Sequence, residues 1–225
     1  MLPLVLQQTW ARRTVFGPGG RLSPLREPWE FYPTPPEATR ALLSVERFDG
    51  GVWEPACGQG HIAKVIEAGG YDVVATDLVD HGYGRAGVDF LEQRLPRSKH
   101  IVTNPPYGRG LADAFVRKAL SLTAHTGGRV AMLLNIQSLC HPDRHASFVR
   151  RPPSVIYALD QCHCLPGGDA GRATRRTYEH RYVWCLWEPE TVTVTATRLA
   201  WLSTASFTDV AIAKHNAQLK KGNLK

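Results

Sequence analysis

Short apolar runs alternate with amphipathic stretches between residues 51 and 136, and this alternation predicts the secondary structure of the chain. Apolar runs bounded by turn-forming residues indicate strands, whereas apolar positions three or four apart indicate helices. The predicted strands are 52–56, 71–76, 100–103 and 129–136, and the predicted helices are 61–68 and 112–122. The last strand is almost wholly apolar, which is typical of a central parallel strand covered on both faces. The pattern therefore predicts a doubly wound α/β sheet.

After residue 150 the pattern changes. Two predicted strands, 154–159 and 178–187, flank a loop at 161–177 that is rich in Gly and Arg. A strand pair at the end of a parallel sheet predicts one antiparallel strand near the edge of a mostly parallel, seven-stranded sheet. The regular alternation at 191–195 predicts a further strand within 191–202.

The chain divides into three predicted parts. Residues 1–28 mix Arg, Pro and Gly, and we expect a flexible arm there. Residues 29–188 are predicted to form the main domain, and 189–225 a strand followed by a basic tail. At the start of the domain, Thr34 is expected to cap a helix that has Pro35 and Pro36 in its first turn and that ends near Glu46.

A glycine-rich turn follows the first predicted strand. Residues 58–63, GQGHIA, fit the pattern G-x-G-x-x-G/A, and Asp77 follows after roughly the 20 residues expected of a ribose-binding acid. Glycines let the backbone approach a nucleotide, and a carboxylate at this position accepts hydrogen bonds from ribose hydroxyls. Glu54 precedes the turn, where it would repel a pyrophosphate but attract the ammonium group of a methionine. The turn therefore favours S-adenosylmethionine over a dinucleotide.

The strand predicted at 100–103 leads directly into Asn104, Pro105, Pro106 and Tyr107. An exocyclic amine is a poor nucleophile, and two acceptors aimed at its N–H bonds make it more reactive. The Asn104 side-chain oxygen and the Pro105 carbonyl are two such acceptors, which the prolines hold rigidly. The Tyr107 ring offers a face on which a flipped-out base can stack. These four residues predict methylation of a planar amine.

These segments resemble the DNA adenine-N6 methyltransferases, which are amino-methyltransferases of class I fold with an (N/D)PP(Y/F) motif, and more narrowly the short bacterial and bacteriophage proteins of this type. The matching segments are 32–36, 54–60, 75–78, 89–91 and 104–107, within about residues 29–188. The cofactor segment precedes the 104–107 motif, which corresponds to the γ order. A γ enzyme of a restriction system usually carries a sizeable recognition domain after this motif, whereas only residues 108–225 remain here.

The resemblance implies a Rossmann-like methyltransferase fold that binds S-adenosylmethionine. Thr34 and Pro35 would line the methionine side of this cofactor, Asp77 would bind its ribose, and Asp89 would bind its adenine, with Phe90 packing on the ring. The complete set of implied cofactor residues is Tyr32, Thr34, Pro35, Glu54, Ala56, Cys57, Gly58, Gly60, Asp77, Leu78, Asp89 and Phe90.

Charge and composition bear on the partner. The formal net charge of +7 favours a polyanion, and Arg172, Arg175 and Arg176 form a candidate surface for nucleic-acid phosphates. Five scattered cysteines indicate a reducing compartment rather than a disulfide framework. No apolar run is long enough to cross a membrane, so we expect a cytoplasmic protein. Residues 162–164, CHC, lack a second pair of ligands, and we expect no metal site.

The sequence thus predicts an enzyme that transfers a methyl group from S-adenosylmethionine to the N6 amine of adenine in DNA. Two alternatives remain open. The same chemistry could serve adenine in RNA or the side-chain amide of a protein glutamine, because each is a planar NH₂ group. The chain could also be a nucleic-acid-binding module without activity. The sequence leaves the recognition site and the oligomeric state open.

Overall fold

The structure is a computed structural model, and it describes residues 31–164, 181–209 and 211–212. The strands are β1 (Val52–Glu54), β2 (Val73–Ala75), β3 (His100–Thr103), β4 (Val130–Asn135), β5 (Val155–Leu159), β6 (Tyr182–Trp187) and β7 (Arg198–Leu202). The α-helices are α1 (Pro36–Val45), α2 (Ala63–Ala68), α3 (Leu111–Thr123) and α4 (Pro142–Arg150). Short 3₁₀ turns cover Gly108–Gly110, Ile136–Cys140 and Ala205–Phe207.

The seven strands form one sheet in the order β2-β1-β3-β4-β6-β5-β7. β6 is antiparallel to both of its neighbours, β4 and β5, while every other pair of neighbouring strands is parallel. This confirms the predicted α/β architecture with one antiparallel strand near an edge. Because β1 continues to β2 on one side while β3 lies on its other side, the strand order reverses at β1. In open α/β sheets, ligands bind outside the carboxyl ends of the strands at such a point.

Alternation along the central strands gives the sheet two apolar faces. On β4, Ala131 and Leu133 pack on one face, together with residues of α1 and α2. Val130, Met132 and Leu134 pack on the other face, against the apolar stripe of α3. Successive side chains of a strand point to opposite faces, so a strand covered on both sides must be apolar throughout. This explains the uninterrupted apolar run of β4.

Three features of the structure differ from the sequence predictions. The segment 191–195 is not a strand: the backbone N–H of Val192 donates to the Pro189 carbonyl in a turn. The further strand predicted within 191–202 is present only at Arg198–Leu202, where it pairs with β5. Alternation alone forms no strand, because a strand needs a neighbour for its backbone hydrogen bonds.

Thr34 does not cap α1. The helix begins with Pro35 at its N-cap position and has no side-chain cap, and the Thr34 hydroxyl is instead bonded to Asn104.

The third difference is α4, which the sequence patterns do not predict. It is held by Phe148, whose ring meets Trp187 edge-on, and by an ion pair between Arg144 and Asp113 of α3. Both contacts are tertiary.

Arg172, Arg175 and Arg176, together with most of the loop predicted at 161–177, lie outside the described residues. The division into arm, main domain and tail remains a prediction. In the part of the chain that the structure describes, no helix is both long and apolar enough to span a membrane.

Candidate active site

A cleft opens at the carboxyl ends of β1, β2 and β3, where small-molecule sites of such sheets lie. Most of the predicted cofactor residues line it, and two of the predicted catalytic residues do as well. The lining members of the predicted set are Tyr32, Thr34, Glu54, Ala56, Cys57, Gly58, Asp77, Leu78, Asp89, Phe90, Asn104 and Pro106. Pro35, Gly60, Pro105 and Tyr107 do not line it.

The turn after β1 is tied to the tip of β2 through Asp77. The backbone N–H of Gly58 donates to Asp77 Oδ2 at 2.8 Å, and that of Val79 donates to Oδ1 at 2.9 Å. Gly58 has a φ of +51°, and a Cβ atom there would lie 2.4 Å from the ring of Phe31. The positive φ favours glycine, and a larger residue would require the Phe31 ring to move.

Glu54, at the end of β1, is bonded to the start of α2. Its Oε2 atom accepts the backbone N–H of Ala63 at 2.7 Å, where a carboxylate also interacts well with the helix dipole. Gly60 lies between them with a φ of +80°, against the ring of Tyr83. Gly60 therefore shapes the turn without reaching the cleft.

Burial controls the electrostatics of this turn. It raises the pKa of Glu54 well above its ordinary value, and the nearby charges of Asp77 and Glu67 raise that pKa further. Burial also raises the pKa of Asp77, although backbone N–H groups oppose this effect. The pKa of Cys57 rises to about 12 through burial, which leaves the thiol protonated and unsuited to act as a nucleophile. A cation that entered the cleft would stabilise both carboxylates in their ionised form.

The far wall of the cleft is built around Phe90. This ring meets Trp53 edge-on at a centroid distance of 5.2 Å and lies 4.7 Å from Phe115. The adjacent Asp89 accepts the backbone N–H of Leu91 at 2.9 Å, which closes a tight turn. The wall thus offers an apolar ring face beside a carboxylate, a combination that suits a flat base with an exocyclic amine.

Asn104 follows β3 directly, and contacts from two sides hold its carboxamide. Its Nδ2 atom donates to the Tyr32 carbonyl at 3.2 Å and to Thr34 Oγ1 at 3.1 Å. Its Oδ1 atom lies 2.6 Å from the hydroxyl of Tyr107, which is also 2.7 Å from the Leu133 carbonyl on β4. The side-chain oxygen of Asn104 therefore points away from the Tyr32–Thr34 segment.

The remaining motif residues have different environments. Pro105 is buried, whereas Pro106 is half-buried and lines the cleft. Tyr107 packs with its hydroxyl inward, and its ring lies 6.1 Å from that of Tyr182. Its predicted role as a stacking platform for a base remains a prediction.

Among the residues that line the cleft, the sequence analysis did not identify the aromatic residues Phe31, His61 and His81. The Phe31 ring stacks on His81 with a centroid distance of 4.5 Å and an interplanar angle of 19°. Burial lowers the pKa of His61, and the charge of Lys64 lowers it further. Phe31 adjoins the matched segment 32–36, which could have identified it, but the loop that brings in His81 carries no motif.

Comparison with solved structures shows a known fold. A Listeria monocytogenes protein described as a class I S-adenosylmethionine-dependent methyltransferase aligns with a TM-score of 0.55 at 15% identity, over 85% of this chain and 72% of its own. The M protein of the EcoKI type I restriction enzyme aligns with a TM-score of 0.51 at 16% identity, over 72% of this chain and 45% of its own. The present chain therefore spans less than half of that M protein.

The chain thus has the fold of class I methyltransferases. At these identities the likeness concerns the fold alone, because one fold carries many functions. No protein-family model matches the sequence, and no curated protein sequence matches it.

Proposed function

We propose that this protein is an S-adenosylmethionine-dependent methyltransferase that methylates the N6 amine of adenine in DNA. The observation that carries the proposal is the placement of Asn104. Its carboxamide lies at the end of β3 in the wall of the same cleft that contains Gly58 and Asp77. A nucleotide turn and an amide acceptor are thus brought to one site at the point where the strand order reverses.

The residues of the cleft fit S-adenosylmethionine. Gly58 forms the tight turn beside Asp77, and the Asp77 carboxylate at the tip of β2 would accept hydrogen bonds from the ribose hydroxyls. The buried carboxylate of Glu54 would attract the ammonium group of the methionine moiety. Phe90 and Asp89 would hold the adenine of the cofactor. When bound, the cofactor supplies an electrophilic methyl group on its sulfonium.

The role of Asn104 follows from its hydrogen bonds. With its Nδ2 atom bonded to Tyr32 and Thr34, and one acceptor position of its oxygen facing the Tyr107 hydroxyl, Asn104 keeps a second acceptor position for an N–H bond of the target amine. In our proposal, the Pro105 carbonyl accepts the second N–H bond, so that the two acceptors together hold and polarise the amine. The bound cofactor would supply the methyl group from its sulfonium, leaving a thioether, and the proton lost by the amine would pass to water.

Charge supports DNA as the substrate. The formal net charge of +7 suits a polyanion. The M protein of the EcoKI enzyme, which has a similar fold, belongs to a restriction enzyme and therefore to a system that acts on DNA. Contact of Arg172, Arg175 and Arg176 with phosphates is part of the proposal, as is a cytoplasmic location.

The test uses cofactor labelled in its methyl group. The protein is incubated separately with unmethylated duplex DNA, single-stranded DNA, RNA and a protein extract, and the modified nucleoside or residue is identified by mass spectrometry. We expect N6-methyladenine in DNA and its loss in an Asn104→Ala variant. Label found only in RNA or on glutamine would refute the choice of substrate, and absence of cofactor binding by calorimetry would refute the enzyme assignment.

A further inference from the structure

We propose that the hydroxyl groups of Thr34 and Tyr107 are positioning groups, which lock the carboxamide of Asn104 with its oxygen toward the target amine. The inference rests on the proposed function, in which Asn104 accepts a hydrogen bond from that amine. It assigns to Thr34 a role besides lining the cofactor cleft, and to Tyr107 a role besides stacking.

A carboxamide can rotate by half a turn and exchange its donor and acceptor ends, and the structure opposes this rotation. The Tyr32 carbonyl, 3.2 Å from Asn104 Nδ2, can only accept, so an oxygen placed there would be repelled. The Thr34 hydroxyl accepts the other N–H bond of the same nitrogen at 3.1 Å. The Cys164 sulfur also lies 3.8 Å from this nitrogen, and the Tyr32 carbonyl, which cannot donate, fixes the end of the carboxamide that faces the Tyr32–Thr34 segment.

The opposite end is held by Tyr107. Its hydroxyl carries one hydrogen and lies within hydrogen-bonding distance of two acceptors, Asn104 Oδ1 at 2.6 Å and the Leu133 carbonyl at 2.7 Å. The Leu133 contact ties the phenol to β4, a strand buried on both faces. A side-chain carbonyl can accept two hydrogen bonds, so Asn104 retains one acceptor position for a substrate amine.

The Thr34 side chain is buried and that of Tyr107 is half-buried. Thr34 is 3% exposed, and burial raises the pKa of Tyr107 well above its usual range, with the neighbouring Tyr182 adding to the shift. Tyr107 therefore remains a donor at any pH at which the protein would be assayed. Thr34 also lines the cofactor cleft, so one side chain joins the cofactor side of the site to the catalytic amide.

Three variants distinguish a positioning role from cofactor contact by Thr34 and from base stacking by Tyr107. Thr34→Val keeps the size and branching of the side chain but removes the acceptor, whereas Thr34→Ser keeps the hydroxyl. Tyr107→Phe keeps the aromatic ring and removes the hydroxyl alone. With saturating cofactor and unmethylated DNA, we expect Thr34→Val and Tyr107→Phe each to lower kcat about tenfold with KM unchanged, and Thr34→Ser to stay near wild type.

The double variant Thr34→Val, Tyr107→Phe should lose less than the product of the two single losses, because both act through one carboxamide. Wild-type kcat in either single variant would overturn the inference for that hydroxyl. A weaker cofactor Kd in Thr34→Val with kcat unchanged would make Thr34 a cofactor contact and nothing more.

A second measurement does not depend on activity. The side-chain NH₂ signals of Asn104 in a ¹⁵N-labelled protein are identified by their loss in Asn104→Ala. We expect Thr34→Val and Tyr107→Phe to shift these signals while Thr34→Ser preserves them. Unchanged signals in both variants would refute the lock. If the wild-type protein methylated no substrate, the proposed function would fail while these spectra still decided the positioning role.

Discussion

The amino-terminal edge is the side of the sheet on which the parallel strands begin, and the carboxyl-terminal edge is the side on which they end. At the amino-terminal edge, the guanidinium of Arg129 lies between two carboxylates, with Nη2 at 2.6 Å from Glu46 and 2.8 Å from Glu188. At the carboxyl-terminal edge, Glu54 and Asp77 are also withdrawn from water, but their donors are backbone N–H groups. Neither of these two carboxylates forms a salt bridge with a lysine or arginine of the described residues.

The two edges differ in the role of their buried charges: those at the amino-terminal edge stabilise the fold, whereas those at the carboxyl-terminal edge can bind a ligand. A buried carboxylate that meets an arginine is compensated within the fold, and removal of the arginine leaves it uncompensated. A buried carboxylate held only by N–H groups retains a raised pKa, and a cationic ligand can bind it favourably. The first arrangement should govern stability and the second binding, and four experiments test this separation.

The largest effect is expected for Asn104→Ala at the carboxyl-terminal edge. Loss of the acceptor should lower kcat by about 100- to 1,000-fold, as for other preorganised hydrogen-bonding groups at reacting centres. Cofactor affinity should hardly change, and the free energy of unfolding should fall by only about 1 kcal/mol. Steady-state kinetics, calorimetry and urea denaturation measure the three quantities. A parallel loss of all three would mean that the residue is mainly structural.

Arg129→Met at the opposite edge should show the reverse behaviour. Because Glu46 and Glu188 would lose their common partner, we expect unfolding to become easier by about 3 kcal/mol, with cofactor affinity unchanged. Arg40→Met is the matched control, since its partner Asp209 is 79% exposed and such pairs contribute at most about 1 kcal/mol. Urea denaturation measures the free energy of unfolding of both variants. Equal losses of this free energy in the two variants would contradict the proposed difference between the edges.

Glu54→Gln should weaken cofactor binding about tenfold while stabilising the free protein. Glutamine keeps an oxygen for the Ala63 N–H group but cannot ionise. Since burial raises the folded pKa of Glu54 above 4.5, the native state holds this proton to higher pH than the unfolded chain. The free energy of unfolding of the wild type therefore falls as pH rises from about 4.5 toward the folded pKa.

The stability gain of Glu54→Gln should accordingly grow with pH across that window, in thermal unfolding at a series of pH values. The exposed Glu92→Gln change removes the same charge and should show no such trend. A gain independent of pH would argue against the burial of an ionisable carboxyl as its cause.

The smallest effect is expected for His100, at the amino-terminal edge. Its Nδ1 atom accepts the backbone N–H of Arg129 at 2.9 Å, and burial lowers its pKa below 6.5. As pH decreases, His100 binds a proton in the unfolded chain before it does so in the folded protein. The free energy of unfolding should therefore fall as pH decreases from about 6.5 toward the folded pKa. His100→Gln should flatten this slope in denaturation series, whereas the exposed His125→Gln should leave it unchanged.

Local pattern predicted much of the fold because most elements bury an apolar face of regular period. The β3 and β4 strands and the α3 helix lie within a residue or two of their predicted bounds. The predictions failed where tertiary contacts decide the outcome. The 191–195 alternation has no neighbouring strand, α4 depends on Trp187 and Asp113, and Thr34 binds Asn104 instead of capping α1.

The sequence by itself determined the order of the elements from β1 to β4, the glycine turn at residues 58–63 and the amide motif at 104–107, since these depend on neighbours along the chain. Only the tertiary structure decided which way the Asn104 carboxamide points, because the Tyr32 and Thr34 acceptors of its nitrogen are distant in sequence. It also decided that Glu54 and Asp77 form no salt bridge with a lysine or arginine of the described residues. Burial and pairing arise only when separate segments pack together, so neither can be seen from the sequence alone.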